Sequence, residues 1–147
     1  MKIALGCDHG GFEHKNAILE HLKEQGYEVV DFGIYENKSV DYPDIALKVC
    51  ESIVSGECRC GILVCGTGIG MSIVANKVKG IRAAACSEHF SAKYTRLHNN
   101  SNVLCLGGRV IGVGTALELA DLFLTTEFEG GRHQNRVDKI TAIENNN

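Results

Sequence analysis

Three glycines at alternate positions, Gly66, Gly68 and Gly70, directly follow Cys65 and the apolar run Ile62-Leu63-Val64. The run suits a buried strand, and helix-compatible residues continue from Met71 to Val78. A strand, a glycine-rich turn and a helix start together make an anion site. The free amides at the helix start point at the ligand, and the helix dipole favours negative charge there. A thiol at the end of the strand then faces the same pocket, and the thiolate is the reactive form of cysteine. Cys65 therefore reads as a catalytic base or nucleophile, with Gly66 to Gly70 binding developing negative charge. A buried cysteine beside a structural turn explains the same stretch equally well.

Other groups capable of chemistry follow apolar runs elsewhere. Asp8 and His9 come after Ile3-Ala4-Leu5, Thr67 lies inside the glycine turn, and Arg109 follows Val103-Leu104-Cys105-Leu106. His98 and Asn99 stand near the end of a helical stretch. Arg132 and Arg136 are four apart and share one helix face. Singly, each has a plainer explanation: Asp8 as a helix cap, His98 as a charge at a helix C-terminus, the arginines as solvated surface. Jointly, a thiol, a histidine, an aspartate and an anion turn are expected at one sheet edge.

Familiar motifs are excluded by position. A Cys-x5-Arg phosphatase needs arginine where Met71 stands, and no Gly-Lys pair exists for an ATP-binding P-loop. The dinucleotide fingerprint breaks at Met71. No HExxH or carboxylate cluster marks a catalytic metal, and the seven cysteines show no zinc-finger spacing. A net charge of −3 leaves no global footprint for nucleic acid or anionic membrane. Met1-Lys2 leads directly into the first strand, and no run is long enough to span a bilayer, so the expectation is a cytoplasmic chain with reduced thiols.

The positioning elements follow in order. Strands are expected at Lys2–Leu5, Glu28–Asp31, Ile62–Val64, Ile81–Ala85 and Val103–Leu106. Helices are expected over Phe12–Gln25, from an Asp44 cap to about Ser55, over Met71–Val78, for about ten residues after a Ser87 cap, from Gly114 or Thr115 to about Thr125, and over Arg132 to about Ile143. Glu144 and the terminal asparagines are expected to fray. The 147 residues suit a single domain, residues 1–147. Strands alternating with helices imply an α/β fold of three layers around a five-stranded parallel sheet, Rossmann-like or flavodoxin-like. Ligands in such sheets bind beyond the carboxyl ends of the strands. The helix ending at Thr125 has only a narrow polar stripe of Thr115, Glu118 and Asp121. Burial by another subunit or by the last helix would account for it.

Asp8-His9-Gly10-Gly11, Asp41-Tyr42-Pro43-Asp44, Cys65 with its glycine turn, His98-Asn99 and the Gly-Gly-Arg-His run from Gly130 resemble type B ribose-5-phosphate isomerase over nearly the whole chain. The resemblance implies interconversion of ribose 5-phosphate and ribulose 5-phosphate in the pentose phosphate pathway, through an enediolate, with no cofactor or metal. It implies Cys65 as base, His98 as the ring-opening group and Thr67 assisting. Asp8, His9, Tyr42, Gly66, Gly68, Ile69, Gly70, Asn99, Arg109, Arg132 and Arg136 would bind the sugar phosphate. It further implies a homodimer, with a tetramer left open, and the last helix (about 132–143) at the interface. His98, Asn99, Arg132 and Arg136 would then come from the chain opposite Cys65. The alternatives are an isomerase of allose or galactose 6-phosphate and, more distantly, a non-enzymatic nucleotide- or flavin-binding module.

Overall fold

The computed structural model describes residues Met1–Asn147. Five strands, β1 (Lys2–Cys7), β2 (Glu28–Asp31), β3 (Cys60–Cys65), β4 (Ala83–Ala85) and β5 (Val103–Gly107), form one parallel sheet in the order β2-β1-β3-β5-β4. The helices are α1 (Phe12–Glu24), α2 (Tyr42–Val54), α3 (Ile69–Ala75), α4 (His89–Asn99), α5 (Val113–Thr125) and α6 (Arg132–Asn145). The three inner strands are buried almost throughout, because helices cover both faces. α2 and α3 pack on one face; α1, α5 and α4 line the other. Ile3, Leu5, Ile62, Leu63, Leu104 and Leu106 meet Ile18, Leu22, Val49, Met71, Leu119 and Phe123 in one continuous core.

The five-stranded parallel α/β sheet is the one the alternating pattern implies. Relative to the flavodoxin order, the last two strands are exchanged: β5 lies inside and β4 forms the edge. β1 has β2 on one side and β3 on the other, so the chain changes direction at β1. The turns after β1 and β3 open a crevice at that point.

Several boundaries differ from expectation for local reasons. α2 begins at Tyr42 after Asp41, with Pro43 in its first turn, so Asp44 lies inside the helix rather than capping it. Glu88, not Ser87, caps α4; its carboxylate accepts from the Ser91 N–H at 3.0 Å. α3 stops at Ala75 because Asn76 turns the chain, its side chain donating to the Ala83 carbonyl at 2.9 Å and accepting from the Ala83 N–H at 2.8 Å. Glu144 does not fray: it stays helical and accepts from the Gly80 N–H at 3.1 Å. The apolar helix α5 lies between α1 and α4, so its own chain covers it. The last helix packs on α4 instead.

Candidate active site

At the carboxyl edge of the sheet, Cys65 ends β3 and is 5% exposed. Its Sγ accepts from the Gly68 N–H at 3.1 Å, so the glycine turn aims an amide at the sulfur. Gly68 sits at φ +81°, and a Cβ there would stand 3.0 Å from the carbonyl carbon of Leu106. Only glycine fits both the backbone and the space. Thr67 Oγ1 accepts from the Ile69 N–H at 3.2 Å and is otherwise exposed, as is Ile69.

The neighbouring turns close on this one. Asp8 caps the short turn His9–Gly11, accepting from the Gly10 N–H at 2.8 Å, and its own N–H reaches the Val64 carbonyl at 3.1 Å. Gly108 donates to the Cys65 carbonyl at 2.8 Å, and Arg109 N–H to the Gly66 carbonyl at 3.0 Å. The Arg109 side chain lies over Gly66, the Tyr42 ring over Gly70. A Cβ at Gly108 would collide with the Gly10 carbonyl, so the turns after β1 and β5 touch backbone to backbone. His9 and Arg109 share a recess of about 170 Å³. Thus Asp8, His9, Tyr42, Cys65, Gly66, Thr67, Gly68, Ile69, Gly70 and Arg109 gather at one edge.

His98 and Asn99 do not join them within the chain, contrary to the expectation of a single edge. α4 runs back against the strand direction, so its end lies beside the strand starts. Arg82, just before β4, donates through Nε to the Asn99 carbonyl at 3.0 Å. β3 is six residues long, which separates the two edges by about 20 Å. The far edge carries its own group. The His98 ring stacks on His133 with centroids 4.0 Å apart and planes 11° apart, and Tyr94 meets His98 edge-on at 5.0 Å. The Glu129 N–H donates to the Leu97 carbonyl at 3.1 Å, tying the start of α6 to the end of α4. Arg132 and Arg136 are exposed there and, like Arg109, have no carboxylate partner.

Two polar half-sites on one sheet, one built around a thiol and an amide turn and one around histidine and arginine, suit chemistry on a small anionic substrate. Residues 3–140 match the family model described as Ribose/Galactose Isomerase. The chain belongs to this family. Ribose-5-phosphate isomerase B of Escherichia coli (strain K12) is 52% identical over 143 residues, spanning 97% of this chain and 96% of the relative. The structure of Clostridium thermocellum ribose-5-phosphate isomerase B superposes with a TM-score of 0.98 at 55% identity, covering 99% of each chain. Ribose-5-phosphate isomerase B from Mycoplasma genitalium, solved with bound ribulose-5-phosphate, gives 0.96 at 41% identity, covering 99% of this chain and 97% of that one.

In this member of the isomerase family the other six cysteines are packing groups. Burial pushes the thiols of Cys7, Cys50, Cys60 and Cys86 up to about 11, raises that of Cys58, and holds that of Cys105 well above the ordinary range. At the far edge, burial first and then the neighbouring His98 lower the pKa of His133. Sequence reasoning gave no role to Glu129 or His133. The only local signal is their spacing of four across Gly130-Gly131, where the glycines hide any helical register.

Proposed function

We propose that this chain interconverts ribose 5-phosphate and ribulose 5-phosphate as an aldose–ketose isomerase of the pentose phosphate pathway. The observation that carries the reading is the Gly68 N–H aimed at Cys65 Sγ, at the point where the strand order reverses. As base, Cys65 removes the proton from C2 of the open-chain aldose, and the electron pair of that bond forms the enediolate. The proton returns to C1 while the C2 hydroxyl proton passes to O1, leaving a hydroxyl at C1 and the carbonyl at C2. Amides of Gly66 to Gly70 face the developing charge, with Thr67 and Ile69 lining the turn. α3 has seven residues, so these fixed N–H groups, more than a long helix dipole, supply the stabilisation. Asp8 and Tyr42 bind sugar hydroxyls, and His9 and Arg109 reach the phosphate.

His98 opens the furanose ring, Asn99 stands beside it, and Arg132 and Arg136 clamp the phosphate. These four lie at the far edge of the same chain, which supports a homodimer in which one copy completes the other's site through the start of α6. Arginine forks match phosphate oxygens, and neither arginine has an internal carboxylate to satisfy. The amide-lined turn removes the need for a metal. No helix is long and apolar enough to cross a membrane. A cytoplasmic location is supported by seven free thiols, five of them, apart from Cys65, buried as small core side chains. The match to ribose-5-phosphate isomerases favours the five-carbon sugar over allose or galactose 6-phosphate. The test is an isomerisation assay with ribose, allose and galactose phosphates side by side. Fastest turnover of ribose 5-phosphate is expected; turnover of none would overturn the reading.

A further inference from the structure

One buried charge has no part in the isomerisation. Lys15 lies in α1 and is 1% exposed, and its only ion pair is with Asp31 at the end of β2, 2.8 Å away. Such a pair is weak evidence for stability, because desolvation takes back most of the Coulomb attraction. It does organise the chain after β2. Asp31 uses its other oxygen, Oδ1, to accept the Gly33 N–H at 2.9 Å, and its carbonyl accepts the Tyr35 hydroxyl at 2.7 Å. The Gly33 carbonyl accepts the Cys7 N–H at 2.7 Å, one residue before Asp8. The Lys15 ammonium also stands 5.7 Å from the centre of the Phe12 ring and 5.8 Å from that of Tyr35. Lys15, Asp31 and Tyr35 thus clamp the start of the loop between β2 and α2.

That loop, residues 32–41, forms a wall of the site, and its Asn37 lines the recess shared by His9 and Arg109. Residues 35–39 are all exposed, and their one backbone bond, from the Lys38 N–H to the Glu36 carbonyl at 2.8 Å, stays within the loop. On the β2 side, their tie to the rest of the chain is the clamp at Asp31. We propose that Lys15 is a positioning residue for the phosphate recess: through Asp31 it fixes this loop so that Asn37 faces the phosphate beside His9 and Arg109.

The proposal rests on the phosphate role given to that recess above. Asn37 offers an amide donor without adding charge. A bond to the phosphate, remote from C1 and C2, is made equally in the ground state and the transition state. Its loss therefore raises KM and leaves kcat in place. Tyr42 does not depend on the clamp, since α2 is held by Ile45, Ala46 and Val49 in the core. A loosened loop leaves Cys65 and the amide turn as they are.

The test uses the full-length protein, with ribose 5-phosphate as substrate and inorganic phosphate as a probe of the recess. Wild-type turnover is read first and examines the isomerase reading by itself; phosphate binding by NMR titration and amide exchange read the clamp without it. Lys15→Met leaves Asp31 unpaired and should lose stability. Lys15→Met combined with Asp31→Asn removes both charges, keeps the acceptor for Gly33 and should regain most of that loss. In the double variant the Cys7 and Gly33 amides should exchange faster relative to those of β3 and β5. Its KM for ribose 5-phosphate and Kd for inorganic phosphate should each rise about tenfold, the scale of ordering a side chain on binding, with kcat held. Asn37→Ala should raise both constants by a similar factor, and adding it to the double variant should change them little further, because both act through one contact. His21→Gln is the control for stability alone. It cuts the 2.9 Å tie from α1 to Asp121 and should unfold earlier with KM and Kd unchanged. Wild-type KM and Kd in the folded double variant would overturn the proposal and leave Lys15 a purely structural residue. Unchanged constants in Asn37→Ala, or full additivity of the two changes, would overturn it as well.

Discussion

Replacing Gly68 by alanine tests the turn that faces Cys65. At φ +81° any side chain is strained, which costs about 1–2 kcal/mol. The new Cβ would also stand 3.0 Å from the Leu106 carbonyl carbon and 3.2 Å from that of Cys105, both backbone atoms that cannot swing aside. Overpacking of that kind adds roughly 1–3 kcal/mol. Gly26→Ala is the control: its φ is +87°, but nothing lies within 4 Å of the added carbon. It should lose only the backbone share, so the two variants should differ by about 1–3 kcal/mol. That difference corresponds to roughly 2–4 °C in Tm per kcal/mol for a chain of this size. Urea unfolding at equal protein concentration measures it, since association shifts apparent stability. Relief of the overlap must move the Gly68 N–H away from Cys65 Sγ, so kcat should fall by on the order of tenfold or more in Gly68→Ala and hold in Gly26→Ala. Equal stability and equal kcat in the two variants would refute the account of the turn.

Cys65→Ala should lower kcat by about 10²–10⁴-fold with the fold intact, the range for losing a general base. Cys58→Ala, a core position, should leave kcat unchanged; equal activity in the two variants removes Cys65 from its role. Arg136→Ala should lower kcat/KM for the phosphorylated sugar by roughly tenfold to a hundredfold and act much less on any turnover of free ribose. The same loss on both sugars would end the phosphate assignment. Equal amounts of Cys65→Ala and Arg136→Ala chains, allowed to exchange, should recover about a quarter of the wild-type sites, because half the dimers are mixed and each keeps one intact site. No gain on mixing would leave the shared site without support. Product formed in heavy water should carry deuterium at C1, and EDTA should not slow the reaction. A requirement for a divalent ion would count against proton transfer by Cys65.

The sheet was legible in the sequence because β1, β3 and β5 are buried on both faces and so appear as plain apolar runs. Cys65 and its glycines were legible for the same reason, since a turn that approaches backbone and ligand so closely leaves glycine at fixed spacing. Element ends were harder to read. Asp44 and Ser87 are good caps by type, but Pro43 and the reach of the Glu88 carboxylate to Ser91 decided the starts of α2 and α4. The end of α3 was set by Asn76 pairing with Ala83, a contact across seven residues that no helical periodicity reveals. The exchange of β4 and β5 depends on which neighbour each strand meets, and the order of elements along the chain does not specify that. His98 and His133 are 35 residues apart and meet where α6 packs on α4, with the Glu129 N–H bonded to the Leu97 carbonyl.

Splitting the proposed machinery between opposite edges of one sheet makes catalysis depend on concentration. A lone copy carries a base without an acid at one end and an acid without a base at the other. Below the dissociation constant of the pair, the rate should rise with the square of the protein concentration, and dilution alone should silence the enzyme without unfolding it. Any surface change that loosens the association would then behave in an assay like damage to the chemistry, though no reacting group had been touched.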